Sequence, residues 1–72
     1  MPPKREITVK INGKDCAVPA GTTVAALIER VGVRTRAFAI ERNREVVRRP
    51  EHATTVLADG DVINIVTFVG GG

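Results

Sequence analysis

Apolar and polar residues alternate at the start of the chain, with Ile7, Val9 and Ile11 separated by Thr8 and Lys10. That is the two-residue period of a strand with one face toward a core. Asn12-Gly13 follows at once, and a two-residue type I′ turn needs positive φ at both central positions, which this pair tolerates. The spacing predicts a hairpin whose returning strand runs from Lys14 to Val18, with Cys16 and Val18 toward the core, and stops where Pro19 lacks a ladder donor. Ala20-Gly21-Thr22-Thr23 reads as a loop ending in a helix cap, because a threonine hydroxyl accepts from the first free helical N–H groups. Beyond it the period changes. Val24, Leu27, Ile28 and Val31 fall at i, i+3, i+4 and i+7, one apolar stripe expected in the core, and Gly32 suits a left-handed C-terminal residue.

Phe38-Ala39-Ile40-Glu41 predicts a third strand, Arg42-Asn43-Arg44-Glu45 a tight turn with Asn43 left-handed, and Val46-Val47 a short fourth strand. Arg48-Arg49-Pro50-Glu51-His52 is expected to be an irregular link, since proline disfavours helix at the residue before it. Thr54-Thr55-Val56-Leu57 reads as a single turn or short extended piece, and Ala58-Asp59-Gly60-Asp61 as a turn. Val62 through Val69 is the longest β-rich run and is expected to be a central strand. The helix prevents the last strand from reaching the first by hairpins alone. The economical α+β solution is a mixed four- to five-stranded sheet with one main helix across it, the last strand parallel to the first in the middle. This is the β-grasp arrangement.

Seventy-two residues, 43% of them apolar, make one domain spanning 1–72, with 1–5 as a flexible N-terminal extension and 70–72 as a flexible tail. A chain of this size buries roughly 60% of its unfolded surface, so no deep walled pocket is expected, and a stand-alone enzyme is disfavoured. One cysteine and one histidine supply neither an internal disulfide nor a zinc site. Cys16 is expected to be a core residue and His52 a loop residue. Asp59 and Asp61 resemble a fragment of a calcium loop whose other ligands are missing, and are read as turn residues. No apolar run approaches the ~20 residues of a membrane span or a signal peptide, so a soluble, cytoplasmic protein is expected. The net charge of +3 arises mainly from Arg30, Arg34, Arg36, Arg42, Arg44, Arg48 and Arg49. With only Phe38 and Phe68 as aromatics, base stacking is poorly supported, and the arginines are read as a solvated face or a match for an acidic protein partner.

The chemistry is expected in the last residues. Gly70-Gly71-Gly72 follows the final strand with no polar spacer, and without Cβ atoms it can thread a channel that larger residues would block. The α-carboxylate of Gly72, with an ordinary pKa of about 3.5, is ionised and a poor acyl donor until activated. Adenylation would activate it, and a sulfur nucleophile could then displace AMP to leave a thiocarboxylate. If Ile63 and Ile65 face the helix, alternation puts Val62, Asn64, Val66 and Phe68 on the opposite face. Val66, Phe68 and Val69 are therefore the candidate partner-docking residues beside the tail, unless Phe68 folds back onto the core.

Over almost its whole length the chain resembles the thiamine-biosynthesis sulfur carrier proteins, the ThiS family of ubiquitin-like β-grasp proteins. The resemblance lies in Asn12-Gly13, in Ile40-Glu41-Arg42-Asn43 with Glu45-Val46-Val47-Arg48, and above all in Asp59-Gly60-Asp61-Val62-Ile63-Asn64-Ile65-Val66 running into Phe68-Val69-Gly70-Gly71-Gly72. It implies a protein that catalyses nothing and binds no cofactor. An ATP-dependent, E1-like activating enzyme would adenylate Gly72, and a cysteine desulfurase or another donor would supply sulfur. The thiocarboxylate would then serve thiazole synthase. Pro2-Pro3-Lys4-Arg5 and the arginine density over 30–49 are not family features. Three alternatives share the fold: a molybdopterin synthase small subunit or tRNA-thiolation carrier, a ubiquitin-like protein modifier, and a plain β-grasp binding module.

Overall fold

The computed structural model describes residues 5–68. Five strands, β1 (Glu6–Ile11), β2 (Lys14–Pro19), β3 (Phe38–Arg42), β4 (Glu45–Val47) and β5 (Val62–Thr67), form one sheet with helix α1 (Val24–Val31). The order is β2-β1-β5-β3-β4, with β5 parallel to β1 and antiparallel to β3. The last strand in sequence is thus the middle strand in space, as the connectivity requires. Val69 and the three glycines lie outside the described residues, as does most of the N-terminal extension.

Both hairpins turn through two left-handed residues. Asn12 and Gly13 have φ of 48° and 87°, and Asn43 and Arg44 have φ of 52° and 70°. The first is the expected I′ turn. In the second, Arg44 is left-handed as well as Asn43, because antiparallel strands joined by two residues twist correctly only when both have positive φ. Strand β2 includes Pro19, paired with Glu6, a position tolerated because β2 is an edge strand. Arg49–Glu51 forms a short 3-10 turn rather than an irregular link. Pro50 lies at its start, where no N–H is required, and the Glu51 carboxylate accepts from Arg48 N–H at 3.3 Å.

Helix α1 begins at Thr23, whose hydroxyl accepts from Ala26 N–H, and ends at left-handed Gly32. Its first two free N–H groups donate to the carbonyls of Thr55 and His52 at 2.9 and 2.8 Å, so the 52–57 segment closes the N-terminal end of the helix. Val56 forms a single bridge to Thr23, and Leu57 is buried. Burial fades along the helix: Val24 and Leu27 are fully buried, while Val31, expected in the core, is 47% exposed. The last turn lacks the cover that the 52–57 segment gives the first.

The core is Val9, Val18, Val24, Leu27, Ile40, Leu57 and Ile63, with Cys16 and Ile65 among the half-buried residues packed on it. Ile63 belongs to the central strand and has neighbours on both sides, so truncation leaves a cavity that cannot collapse. Ile63→Ala is expected to cost about 3 kcal/mol, a large share of the total at about 0.1 kcal/mol per residue. A urea titration with a midpoint close to that of wild type would contradict this.

Candidate functional site

The site expected to carry chemistry follows β5, so its geometry is set by how β5 is held and what it exposes. Ile63 and Ile65 point to the helix side. Val62, Val66 and Phe68 lie on the other face, with Val66 43% and Phe68 61% exposed. Phe68 does not fold back onto the core. Register places Ala39 opposite Val66, and Glu41 between Asn64 and Val46. Val46 is 65% exposed, so the open face of the sheet carries apolar side chains from β4 to the end of β5. Val69, Gly70, Gly71 and Gly72 lie outside the described residues.

Strand β5 starts from a buried carboxylate. Asp61 Oδ2 accepts from Arg42 Nε at 2.7 Å and from Ala58 N–H at 2.8 Å, while Oδ1 accepts from Asn43 Nδ2 at 3.0 Å. Burial pushes the Asp61 pKa up. The Ala58 N–H, the Arg42 guanidinium and the Asn43 amide outweigh it and hold the carboxyl below its ordinary value. Asp59 Oδ1 accepts from Thr8 N–H at 2.8 Å, fixing the same turn to β1. The two aspartates are therefore turn residues, and no group of three or more potential metal ligands occurs among the described residues.

Two asparagines bind β5 through their side chains. Asn43 Oδ1 accepts from Val62 N–H at 2.9 Å. Asn12 Oδ1 accepts from Ile65 N–H at 2.7 Å, and its Nδ2 donates to the Ile65 carbonyl at 3.2 Å. The turn chemistry of both residues is legible in the sequence, but these bonds are not, because they depend on which strand lies beside each turn.

The remaining candidates are structural. Arg49 places its guanidinium 4.6 Å from the centre of the Phe38 ring and donates to the carbonyls of Arg36 and Phe38. His52 stacks on Phe38, ring centres 6.2 Å apart, with Nε2 3.0 Å from the Val47 carbonyl. Of the seven arginines over 30–49, Arg42 and Arg49 thus hold the fold itself. An open depression of about 360 Å³ lies against Thr8, Lys10, Asp15, Asp59 and Val62.

The Asp61 network predicts a pH signature. A carboxylate held below its unfolded pKa stabilises the fold fully above that unfolded value, and the contribution is lost as pH falls through the folded one. Asp61→Asn replaces one accepting oxygen with a donor facing other donors, and is expected to cost about 2 kcal/mol at pH 7. Urea titrations should show the gap to wild type shrinking below about pH 4. A gap that stays constant from pH 7 to pH 3 would contradict the assignment.

Comparison with known proteins adds the lineage. The ThiS family model matches residues 4–72. The chain is 35% identical over 65 residues to the sulfur carrier protein ThiS of Bacillus subtilis, covering 89% of this chain and 98% of that one. It is also 44% identical over 62 residues to a thiazole synthase of Paramagnetospirillum magneticum, covering 86% of this chain and only 19% of that protein's length. The crystal structure of a thiamine biosynthesis protein (ThiS) from Geobacter metallireducens superposes with a TM-score of 0.80 at 29% identity, covering 92% of this chain and all of that one. A family match that takes in the folded body and the glycines after it, on a sheet of the same architecture, leads to one conclusion: the chain belongs to the ThiS family, the sulfur carrier family of thiamine biosynthesis.

Proposed function

We propose that this chain carries sulfur as a thiocarboxylate on Gly72 and delivers it for thiazole formation, catalysing neither its loading nor its transfer. The observation that supports this most directly is the family match over residues 4–72, which includes the glycine tail. The thiazole synthase of Paramagnetospirillum magneticum aligns with this chain over 19% of its length. An acceptor enzyme with a carrier-like segment in the same polypeptide supports thiazole synthase as the partner that consumes the sulfur.

The chemistry follows from the weakness of a carboxylate as an acyl donor. A Gly72 oxygen attacks the α-phosphorus of ATP in an E1-like activating enzyme, pyrophosphate leaves, and a mixed anhydride with AMP results. The terminal sulfur of a persulfide from a cysteine desulfurase attacks the acyl carbon and AMP departs. A thiol then cleaves the sulfur–sulfur bond, leaving the thiocarboxylate on Gly72. Glycine suits the persulfide's attack because no side chain shields the acyl carbon.

The position of Phe68 supports a docking role. Four residues span at most about 14 Å, so an enzyme acting on Gly72 works within that distance of Phe68. Exposed apolar side chains at Val66 and Phe68 give it a surface to desolvate, and Val69 continues the same segment in sequence.

Intact mass after incubation with ATP, an activating enzyme and a sulfur donor is expected to rise by the exchange of one oxygen for sulfur, located on Gly72. A variant lacking Gly72 should show no gain. Absence of the gain in folded wild-type protein would sink the carrier reading and favour a plain binding module. Phe68→Ala should fold normally and raise the carrier concentration for half-maximal adenylation about tenfold. An unchanged rate at limiting carrier would remove Phe68 from the docking surface.

A further inference from the structure

Strand β5 is supported unequally along its two edges. On the β3 side, Asn43 N–H bonds the Val62 carbonyl and Phe68 N–H bonds the Ala37 carbonyl, each at 2.8 Å. Residues 62, 64, 66 and 68 therefore turn their backbone groups toward β3, and Ile63, Ile65 and Thr67 turn theirs toward β1. On that second edge, pairing with β1 covers only Lys10↔Val62 and Ile11↔Ile63, because β1 leaves the sheet at the Asn12-Gly13 turn. The last backbone rung is Asn12 N–H to the Ile63 carbonyl at 2.9 Å.

In a regular parallel ladder the next rungs would come from the Asn12 carbonyl and from an N–H two residues further on. The left-handed Asn12 backbone offers neither. Its side-chain amide takes both places, Oδ1 for the missing carbonyl and Nδ2 for the missing N–H. Few residue types accept positive φ at this turn position, chiefly Asn, Asp and Gly. Of these only asparagine has a donor and an acceptor on one planar group. Asn12 thus extends β1 by one side chain and holds Ile65, three residues before Phe68.

We infer that Asn12 is a positioning residue for the C-terminal glycines, fixing the line along which β5 delivers them to the activating enzyme. This rests on the carrier reading above. Asn43 provides an internal control: it occupies the equivalent position of the other I′ turn and binds β5 at Val62, three residues further from the tail than the Ile65 that Asn12 holds. Loss of either clamp loosens β5, but only loss of Asn12 loosens the end next to the tail.

The test uses the full-length chain and the activating enzyme that modifies the wild-type carrier, read as ATP–pyrophosphate exchange. Asn12→Gly keeps the turn and removes the clamp. It is expected to lower kcat about tenfold with KM within about twofold of wild type, the mark of a misaligned reacting group on an intact docking surface. Asn12→Asp, which keeps the acceptor alone, should lie between, and it also serves if Asn12→Gly does not fold. Asn43→Gly should leave both constants unchanged. Hydrogen exchange at the Phe68 amide, whose own partner is Ala37, should quicken in Asn12→Gly and not in Asn43→Gly. Wild-type kcat in Asn12→Gly and Asn12→Asp, a rise in KM alone, or an equal fall in Asn43→Gly would each overturn the inference and leave the carrier reading standing. A wild-type chain that no activating enzyme adenylates would overturn both.

Discussion

The fold depends on anchoring β5 between β3, which pairs with it along its length, and β1, which does not. Strand β5 contributes Ile63 to the centre of the core and precedes Phe68, Val69 and the glycines in sequence, so the core depends on one end of it and the proposed carrier function on the other. Its parallel pairing with β1 is two residues long. Side chains supply what the ladder lacks: Asp61 binds the preceding turn to Arg42 and Ala58, Asn43 bonds Val62, and Asn12 bonds Ile65. A small domain has little apolar area to offset misplaced polar groups. The network is complete: no buried side-chain nitrogen or oxygen among the described residues lacks a partner.

The two faces of the sheet then divide the work. One is covered by α1 and the 52–57 segment, whose carbonyls close the N-terminal end of the helix. The other is left open and carries Val46, Val66 and Phe68. Burying these outward-facing residues would require a second layer that a chain of this length cannot build. On the proposed carrier function, an open apolar face that reaches Phe68 suits a protein whose chemistry is done by its partners. The arginines contribute less to that face than their number suggests, since Arg42 is bound to Asp61 and Arg49 covers Phe38.

Local signals were sufficient wherever the physics is local. Alternation at Ile7, Val9 and Ile11, the Asn12-Gly13 turn, the Thr23 cap and Gly32 all report backbone preferences that neighbours in sequence decide. They misled where neighbours in space decide. Val31 belongs to the apolar stripe yet is exposed, because cover reaches only the first turn of α1. Pro50 reads as a break yet starts a 3-10 turn. Arg44 accepts a left-handed backbone because the twist of β3 and β4 demands it.

The sequence by itself determined the fold class, the central place of a strand within the Val62–Val69 run and the family, because periodicity, turn residues and motif spacing are properties of the chain. Only the tertiary structure decided that Phe68 faces outward, that Asp61 is a buried acceptor and that Asn12 completes the edge of β5. Those outcomes depend on which groups, about fifty residues apart in the case of Asn12 and Ile65, are brought within hydrogen-bonding distance, and a one-dimensional pattern carries no such distance.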